Sequence, residues 1–199
     1  MRTLFLVRHA ETAWNLEHRY QGQTDVPLCD AGRDSAKKLR VRLQKRPQLF
    51  CAKTTAVVSS DLSRAKESAE LAFATPERSI HLDPDLRELC YGIFEGRSRD
   101  EVAAQFSDVY QRFLDDPHYA VEGGEARATV RDRAVSAIRR WLDKLPHPNI
   151  VVVTHGGVLR QLMQLALGDG EMPTHVRFNN LAVHLVSVEP AEWTYAGSL

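Results

Sequence analysis

The chain has 199 residues, with 26 basic and 26 acidic side chains and therefore no formal net charge. Nucleic acids and anionic membrane surfaces are usually bound through an excess of basic residues, so this composition indicates neither partner. A small anionic ligand is not excluded, because its pocket needs only a few well-placed cations. The length predicts a single domain over residues 1–199.

Cysteine usage and the N-terminus predict a cytoplasmic protein. Cys29, Cys51 and Cys90 are too few and too scattered for a disulfide framework, and the absence of a CxxC pair argues against structural zinc. The apolar run over residues 4–7 is shorter than the roughly 7–15 residues of a secretory signal. No run approaches the roughly 20 apolar residues of a transmembrane helix.

Apolar runs of strand length alternate with segments of helical periodicity along the chain. In the first half of the chain the pattern predicts a strand over 4–7, a helix opening at Asp30, a strand over 56–59, a helix capped by Ser60 and Asp61, and a strand over 79–82. In the second half it predicts a helix over 101–114, a longer helix carrying Val130 to Leu145, a strand over 150–153, a helix over 158–167 and a strand over 182–188. Residues 193–195 are expected to pair with this last strand at an edge of the sheet.

The predicted strands are continuously apolar rather than alternating, which is typical of strands buried on both faces. Together with the alternation of strands and helices, this predicts an α/β fold, a three-layer αβα sandwich around a mostly parallel sheet. The segment from about 97 to 125 is the best candidate for a small helical cap insertion.

Polar residues gather where the predicted strands end. Arg8 and His9 follow the first strand, Arg64 comes shortly after the second, and His155 follows the central strand, while Glu88 lies beyond the third. Ligands of open α/β sheets bind beyond the carboxyl ends of the strands, so these side chains are expected to share one site.

These residue types suit chemistry on a phosphoryl group. Arginine forks match phosphate oxygens, a neutral histidine can act as a nucleophile, and a carboxylic acid can protonate a departing oxygen. Gly156 and Gly157 open a helix whose N-terminal N–H groups favour an anion. An Arg-His pair alone is more often a surface feature, and a His-Gly-Gly turn alone is more often structural; the joint placement favours function.

The motifs also resemble a known family. Residues 6–12 (Leu-Val-Arg-His-Ala-Glu-Thr) followed by Trp14 and Asn15 are similar to the signature of the histidine phosphatase superfamily, the phosphoglycerate-mutase-like enzymes, with Ala10 at the usual glycine. The resemblance continues in the expected order through 21–25, 59–65, 86–96, 123–125 and 153–157.

The resemblance implies a role for each matching residue. His9 would be the nucleophile that becomes a phosphohistidine, Glu88 the proton donor, and Arg8, Arg64 and His155 the ligands of the phosphoryl oxygens. Asn15, Gln21, Gly22 and Gly156 would contribute to phosphate binding, and neither a metal nor another cofactor is expected. The two arginines should also disfavour protonation of His9.

The resulting hypothesis is a phosphomonoester hydrolase acting on a small phosphorylated metabolite. Phosphoglycerate mutase activity and a non-catalytic phosphate-binding module are the alternatives, and the short segment of 26 residues between Gly96 and Gly123 favours hydrolysis. We expect Arg97, Arg99 and Arg112 in the cap to be solvated rather than substrate-binding. The roles of these arginines and of His118, the substrate and the formation of a homodimer are left open.

Overall fold

The computed structural model describes residues 1–46, 51–168, 173, 176–189 and 192–199. It contains a central sheet of six strands. Its strands are β1 (Arg2–Arg8), β2 (Thr55–Ser59), β3 (Ile80–Leu82), β4 (Asn149–Thr154), β5 (Val183–Val188) and β6 (Trp193–Ser198). The helices are α1 (Ala13–Leu16), α2 (Asp30–Gln44), α3 (Ser63–Phe73), α4 (Arg99–Gln105), α5 (Ser107–Asp115), α6 (Arg127–Lys144) and α7 (Gly156–Leu167). Short 3-10 helices cover Pro84–Leu86 and Gly92–Phe94.

The strand order β3-β2-β4-β1-β5-β6 brings the first strand of the chain to the centre of the sheet. Strands β1 to β4 run parallel, with Arg8 of β1 opposite Thr154 of β4. Strand β5 runs antiparallel to β1, and β6 pairs with β5 at the edge. The predicted mostly parallel sheet and the edge pairing of residues 193–195 are therefore confirmed.

Helices cover both faces of the sheet, which explains why its central strands are apolar throughout. Along β1, Leu4 and Leu6 pack into the core beneath α6 and α7, whereas Phe5 and Val7 pack into the core beneath α2 and α3. All four side chains are almost fully buried. This arrangement is the predicted αβα sandwich.

The predicted helix over 101–114 is wrong in one respect, because it is two helices. Between α4 and α5, Phe106 adopts φ −134° and ψ 36°, which lies outside the helical region. Val102 of α4 and Phe113 of α5 both remain buried, in the same core as Phe94. The break lets two short helices lay their apolar faces on the domain within the range predicted for the cap.

The capping predicted for α3 is only half right. The Ser60 hydroxyl accepts a hydrogen bond from Leu62 N, but the Asp61 carboxylate pairs with Arg87 instead, at 2.5 Å. The first N–H group of α3, at Ser63, is bound by Asp25 at 2.8 Å. A residue distant in sequence therefore supplies the helix cap.

Candidate active site

The carboxyl ends of β1, β2 and β4 meet at one edge of the sheet, as the sequence predicts. His9 N donates to Thr154 O at 2.9 Å, and Ser60 N donates to Val153 O at 2.9 Å, so the segments leaving the three strands stay side by side. A cavity of about 430 Å³ opens at this edge. Its walls include the predicted residues Arg8, His9, Asn15, Gln21, Gly22, Arg64, Glu88 and Gly156.

His9 is held in one orientation at the cavity. Its Nδ1 lies 2.6 Å from Ala10 O, a contact that requires the proton on Nδ1 and leaves Nε2 as the free lone pair. The ring is 2% exposed. Burial and, after it, the positive charges of Arg64 and Arg8 hold the pKa of His9 well below its ordinary value. The imidazole is therefore neutral near pH 7, as expected of a nucleophile.

Two arginines flank this histidine, of which Arg64 is completely buried and Arg8 is half-buried, and backbone carbonyls fix both. Arg64 donates through Nη1 to Thr24 O at 2.9 Å and through Nη2 to Gly22 O at 2.7 Å. Arg8 donates through Nη1 to Phe178 O at 2.7 Å. The Nε atoms of both arginines are buried and find no acceptor in the described part of the chain. Such donors suit the oxygens of a phosphoryl group.

The loop that holds Arg64 is itself held by Glu95. One oxygen of the Glu95 carboxylate accepts from Gln23 N at 3.1 Å and from Tyr91 N at 3.0 Å, and the other accepts from Thr24 N at 3.0 Å. Gly22 has φ +55°, and a Cβ there would come within 1.8 Å of Glu95 Oε1. Gly22 thus offers its carbonyl to Arg64 at a position that only glycine can occupy without displacing Glu95.

Glu88 is fixed at its carboxylate by backbone N–H groups. Oε1 accepts from Leu89 N at 2.9 Å, and Oε2 accepts from Gly157 N, near the start of α7, at 3.0 Å. A Cβ on Gly157 would lie 2.4 Å from Glu88 Oε1, so this close approach requires glycine. A carboxyl group on the cavity wall beside His9 is positioned to exchange a proton with a substrate oxygen.

An ion pair behind Glu88 anchors its backbone. Arg133 of α6 donates to Glu88 O at 3.0 Å and also binds the carbonyls of Asp85 and Arg87. Its partner Glu125, at 2.6 Å, accepts from Cys90 N as well. Glu125, the acid of the weak Gly-Gly-Glu motif, therefore ties α6 to the segment that carries the predicted proton donor.

His155 lies behind His9 rather than on the cavity wall. The two ring centroids are 5.2 Å apart, and His155 is completely buried. Its Nε2 lies 2.8 Å from Ser60 Oγ, while Nδ1 has no partner among the described residues. Burial and the charge of Arg64 hold the pKa of His155 well below its ordinary value.

Three amide side chains add polar groups at or beside the cavity. Asn180 Nδ2 donates to His9 O at 2.9 Å and to Asn15 Oδ1 at 3.3 Å. Because Asn15 Oδ1 also accepts from Thr12 N, the Asn15 amide nitrogen is left for the cavity. Gln21 is buried on the same wall, with Oε1 unpaired in the described structure.

The four residues left open in the cap lie in different places. Arg99 lines the cavity, although we expected it to be solvated, and its side chain is exposed there. Arg97 binds Ile93 O and lies over the ring of Phe106. Arg112 lies 4.4 Å from the centroid of Tyr119, and exposed His118 donates its backbone N–H to Asp116. Of these four, only Arg99 faces the cavity.

Several residues of the site are not predicted from the sequence. Phe178 lines the cavity, and Asn180 binds His9 O beside it; both precede β5. Because β5 runs antiparallel, its start lies beside the end of β1, with Leu181 N bound to Arg8 O at 3.0 Å. Arg160 could be found from spacing, since it follows Gly157 by three positions on the same helix face. Tyr91 lies within residues 86–96, one of the segments that resemble the family, and it lines the cavity.

Two features of the described residues bear on other functions. Nowhere in them do three or more His, Cys, Asp or Glu side chains form a group that could hold a metal ion. None of the helices in the same ranges is both long and apolar enough to cross a membrane.

Comparison with known proteins agrees with the site. The family model of the histidine phosphatase superfamily (branch 1) matches residues 4–197. The chain belongs to the histidine phosphatase superfamily. A curated relative in this superfamily, phosphoglycerate mutase-like protein 4 of Arabidopsis thaliana, is 38% identical over 170 residues, which are 82% of this chain and 70% of that protein. The probable phosphoglycerate mutase GpmB of Cronobacter sakazakii is 30% identical over 202 residues, 99% of this chain and 90% of that one.

Solved structures of histidine phosphatases share the fold. A mycobacterial glucosyl-3-phosphoglycerate phosphatase superposes with a TM-score of 0.82 at 27% identity, covering 99% of this chain and 98% of that one. A putative α-ribazole-5'-P phosphatase of Escherichia coli gives 0.80 at 25% identity, covering 99% and 95%. The named relatives therefore include both mutase-like proteins and phosphatases.

Proposed function

We propose that this histidine phosphatase hydrolyses phosphomonoesters of small metabolites through a phosphohistidine on His9. The observation that carries the proposal is the state of His9: a neutral ring whose Nδ1 proton is bound to Ala10 O, with Nε2 free at a cavity flanked by Arg8 and Arg64. The Nε–H groups of these arginines, which find no acceptor among the described residues, suit the oxygens of the phosphoryl group that His9 Nε2 would attack.

In the first step, His9 Nε2 bonds to phosphorus as the ester P–O bond breaks, and Glu88 in its acid form gives its proton to the departing oxygen. In the second step, the Glu88 carboxylate takes a proton from water, the water oxygen bonds to phosphorus, and the P–Nε2 bond breaks. Inorganic phosphate leaves, and both side chains return to their starting states. The fixed arginines stabilise the charge on the equatorial oxygens in each step.

His155 contributes by staying neutral. Because burial and the charge of Arg64 disfavour protonation of His155, its ring can donate one N–H without adding a further cation near His9 and the two arginines. The Ser60 hydroxyl, which already accepts from Leu62 N, is free to donate to His155 Nε2. That assignment places the ring proton on Nδ1, the nitrogen that has no partner in the described part of the chain.

Phosphoglycerate mutase activity is the second candidate, because relatives that match most of this chain carry that name. Both reactions would share the phosphohistidine and differ in the acceptor of the phosphoryl group. The short segment 97–122 supports water as the acceptor, since a small cap leaves the cavity open. A non-catalytic module is disfavoured because phosphate binding needs neither an oriented nucleophile nor a carboxyl group beside it.

Product analysis tests the three alternatives. With 3-phosphoglycerate and a panel of sugar phosphates, we expect inorganic phosphate to be released and no isomeric phosphoglycerate to form. Isomer formation faster than phosphate release would instead establish a mutase. If phosphate binds to the protein but no substrate in a broad phosphomonoester panel is turned over, the chain is a binding module.

We also propose that the reaction needs no metal and takes place in the cytoplasm. The guanidiniums of buried Arg64 and half-buried Arg8 would supply the charge stabilisation that a metal provides in other phosphatases. Cys29, Cys51 and Cys90 are free thiols, which suits a reducing compartment. Dialysis against a chelator should leave the rate of phosphate release unchanged, and restoration of a lost rate by a divalent cation would contradict the proposal.

A further inference from the structure

The cavity carries more positive charge than one phosphoryl group requires. Arginine contributes six of its lining residues, and Glu88 is the single acidic residue among those described: the arginines are Arg8, Arg19, Arg64, Arg99, Arg160 and Arg177. A phosphomonoester brings only about two negative charges near pH 7. The surplus indicates that the ligand carries further negative charge.

The six arginines are not equivalent. Arg64 is buried and Arg8 is half-buried; both line the cavity with His9 and belong to the phosphoryl site. Arg19 is already paired with Glu17 at 2.6 Å and Glu101 at 3.3 Å. In contrast, Arg99, Arg160 and Arg177 form no ion pair with any carboxylate in the described ranges, and all three are exposed.

Arg160 and Arg177 come together through Phe178. The Arg160 guanidinium carbon lies 5.5 Å from the centroid of the Phe178 ring, a cation–π arrangement that limits its freedom. Arg177 is the neighbour of Phe178 in the chain, and the Phe178 carbonyl binds Arg8 at 2.7 Å. The segment that fixes Arg8 therefore carries Arg177 and packs its Phe178 ring against Arg160, and both of these arginines line the same cavity.

Arg160 lies near Glu88, the predicted proton donor. It lies one helical turn beyond Gly157, whose N–H binds Glu88. Its positive charge also reaches Tyr91, where it opposes the rise in pKa that burial gives the hydroxyl. A group bound by Arg160 would thus sit within the span of a small metabolite from the phosphorus atom.

We propose that Arg160 and Arg177 form a subsite for a second anionic group of the substrate, a carboxylate or a second phosphate on the part of the molecule that departs as the alcohol. The inference rests on the proposed phosphatase function and specifies its substrate class: small phosphomonoesters with a further anion. Guanidinium forks bind either anion in a bidentate manner.

Matched substrates test the subsite. The first pair of substrates, 3-phosphoglycerate and glycerol 1-phosphate, differs at the carboxylate. The second pair, fructose 1,6-bisphosphate and fructose 6-phosphate, differs at a phosphate. The variants are Arg160→Gln and Arg177→Gln, with Arg139→Gln, an exposed arginine of α6 outside this cavity, as the matched control. Comparing kcat/KM within each pair of substrates shows whether the subsite binds the carboxylate, the second phosphate or both.

We expect the wild type to prefer the doubly anionic member of at least one pair. Each arginine variant should lower kcat/KM for that member by about ten- to a hundred-fold, the worth of one charged hydrogen bond, and leave the singly phosphorylated member within about twofold. No preference in the wild type, or equal losses on both members, would overturn the proposal.

Equilibrium binding separates this inference from the proposed reaction. The His9→Ala variant, which cannot form a phosphohistidine, should bind 3-phosphoglycerate or the bisphosphate more tightly than its singly charged counterpart in calorimetry. Adding Arg160→Gln should remove that difference. The preference can therefore be present even if the protein turns nothing over, and its absence from this variant refutes the subsite whatever the reaction.

Discussion

The inner and outer ends of the cavity are built in opposite ways. At the inner end, backbone carbonyls fix the side chains of Arg8, His9 and Arg64; His9 and Arg64 are buried, and Arg8 is half-buried. At the outer end, Arg160 and Arg177 are exposed, and their elements are α7 and the segment before β5. The inner end is preorganised for one chemical group, whereas the outer end can vary without disturbing it.

This difference divides the work between chemistry and substrate choice. Preorganised donors stabilise charge in a transition state without having to reorient. Exposed cations contribute less individually, because water and salt screen them. Substitutions at the inner end should therefore impair turnover of every substrate, and those at the outer end should change the preference among substrates.

The largest loss of activity is expected from Arg64→Gln. It removes a buried charge from the phosphoryl site and leaves the carbonyls of Gly22 and Thr24 unpaired, so kcat/KM should fall by about 10²–10³-fold for all substrates. Steady-state kinetics on 4-nitrophenyl phosphate measures this, with Arg33→Gln on α2, paired with Glu67, as control. A loss below about tenfold would show that Arg64 is not part of the chemistry.

The next largest loss of activity is expected at the ion pair between Glu125 and Arg133, which holds the backbone of Glu88. Glu125→Gln weakens the ion pair that anchors the Glu88 backbone, so kcat should fall by about tenfold, with a loss of about 1–3 kcal/mol in the free energy of unfolding. Arg133→Gln should act through the same contact, so the double variant should lose less than the sum of the two. Exposed Glu122→Gln is the control. Strict additivity would refute the coupling.

A smaller effect concerns stability at acid pH. Since burial lowers the pKa of His155 in the folded protein, the unfolded chain takes up a proton first as pH falls below about 6.5, and the folded state loses stability. Between about pH 7.5 and 5.5 the wild type should lose about 1 kcal/mol more than His155→Gln in urea unfolding. Equal losses would mean that folding does not lower the pKa of His155.

The smallest predicted effect contrasts two arginines of the cap. Arg99→Gln removes an exposed cation from the cavity and should raise KM by about two- to fivefold. Arg112→Gln, whose side chain lies on Tyr119, should leave KM unchanged. Initial rates over a range of substrate and salt concentrations measure both. Identical behaviour of the two variants would place Arg99 outside the substrate's reach.

Local patterns were sufficient to predict the sheet. The uninterrupted apolar runs of β1 and β4 predicted burial on both faces, and their ends located His9 and His155. The antiparallel direction of β5 was not readable, because an apolar run is the same in either direction. For that reason Asn180 and Arg177, which precede β5, were not placed at the site.

Tertiary partners decided what the patterns could not. The break at Phe106 has no glycine or proline to mark it, and the helix periodicity continues across it. At the start of α3, Asp25 rather than Asp61 binds the first N–H group, because Arg87 lies close to Asp61 in the folded chain and pairs with it. Each of these contacts joins residues that only the folded chain brings together.

Rapid-quench trapping of the phosphoenzyme tests the central claim most directly. The best-suited variant is Glu88→Gln, because 4-nitrophenol departs without an acid while attack by water lacks its base. Mass spectrometry of the peptides under alkaline conditions should show one phosphoryl group on His9, accumulating close to the enzyme concentration. It should be absent from His9→Ala and unchanged by the control His118→Ala. A phosphoryl group on any other residue, or turnover with none on His9, would contradict the account.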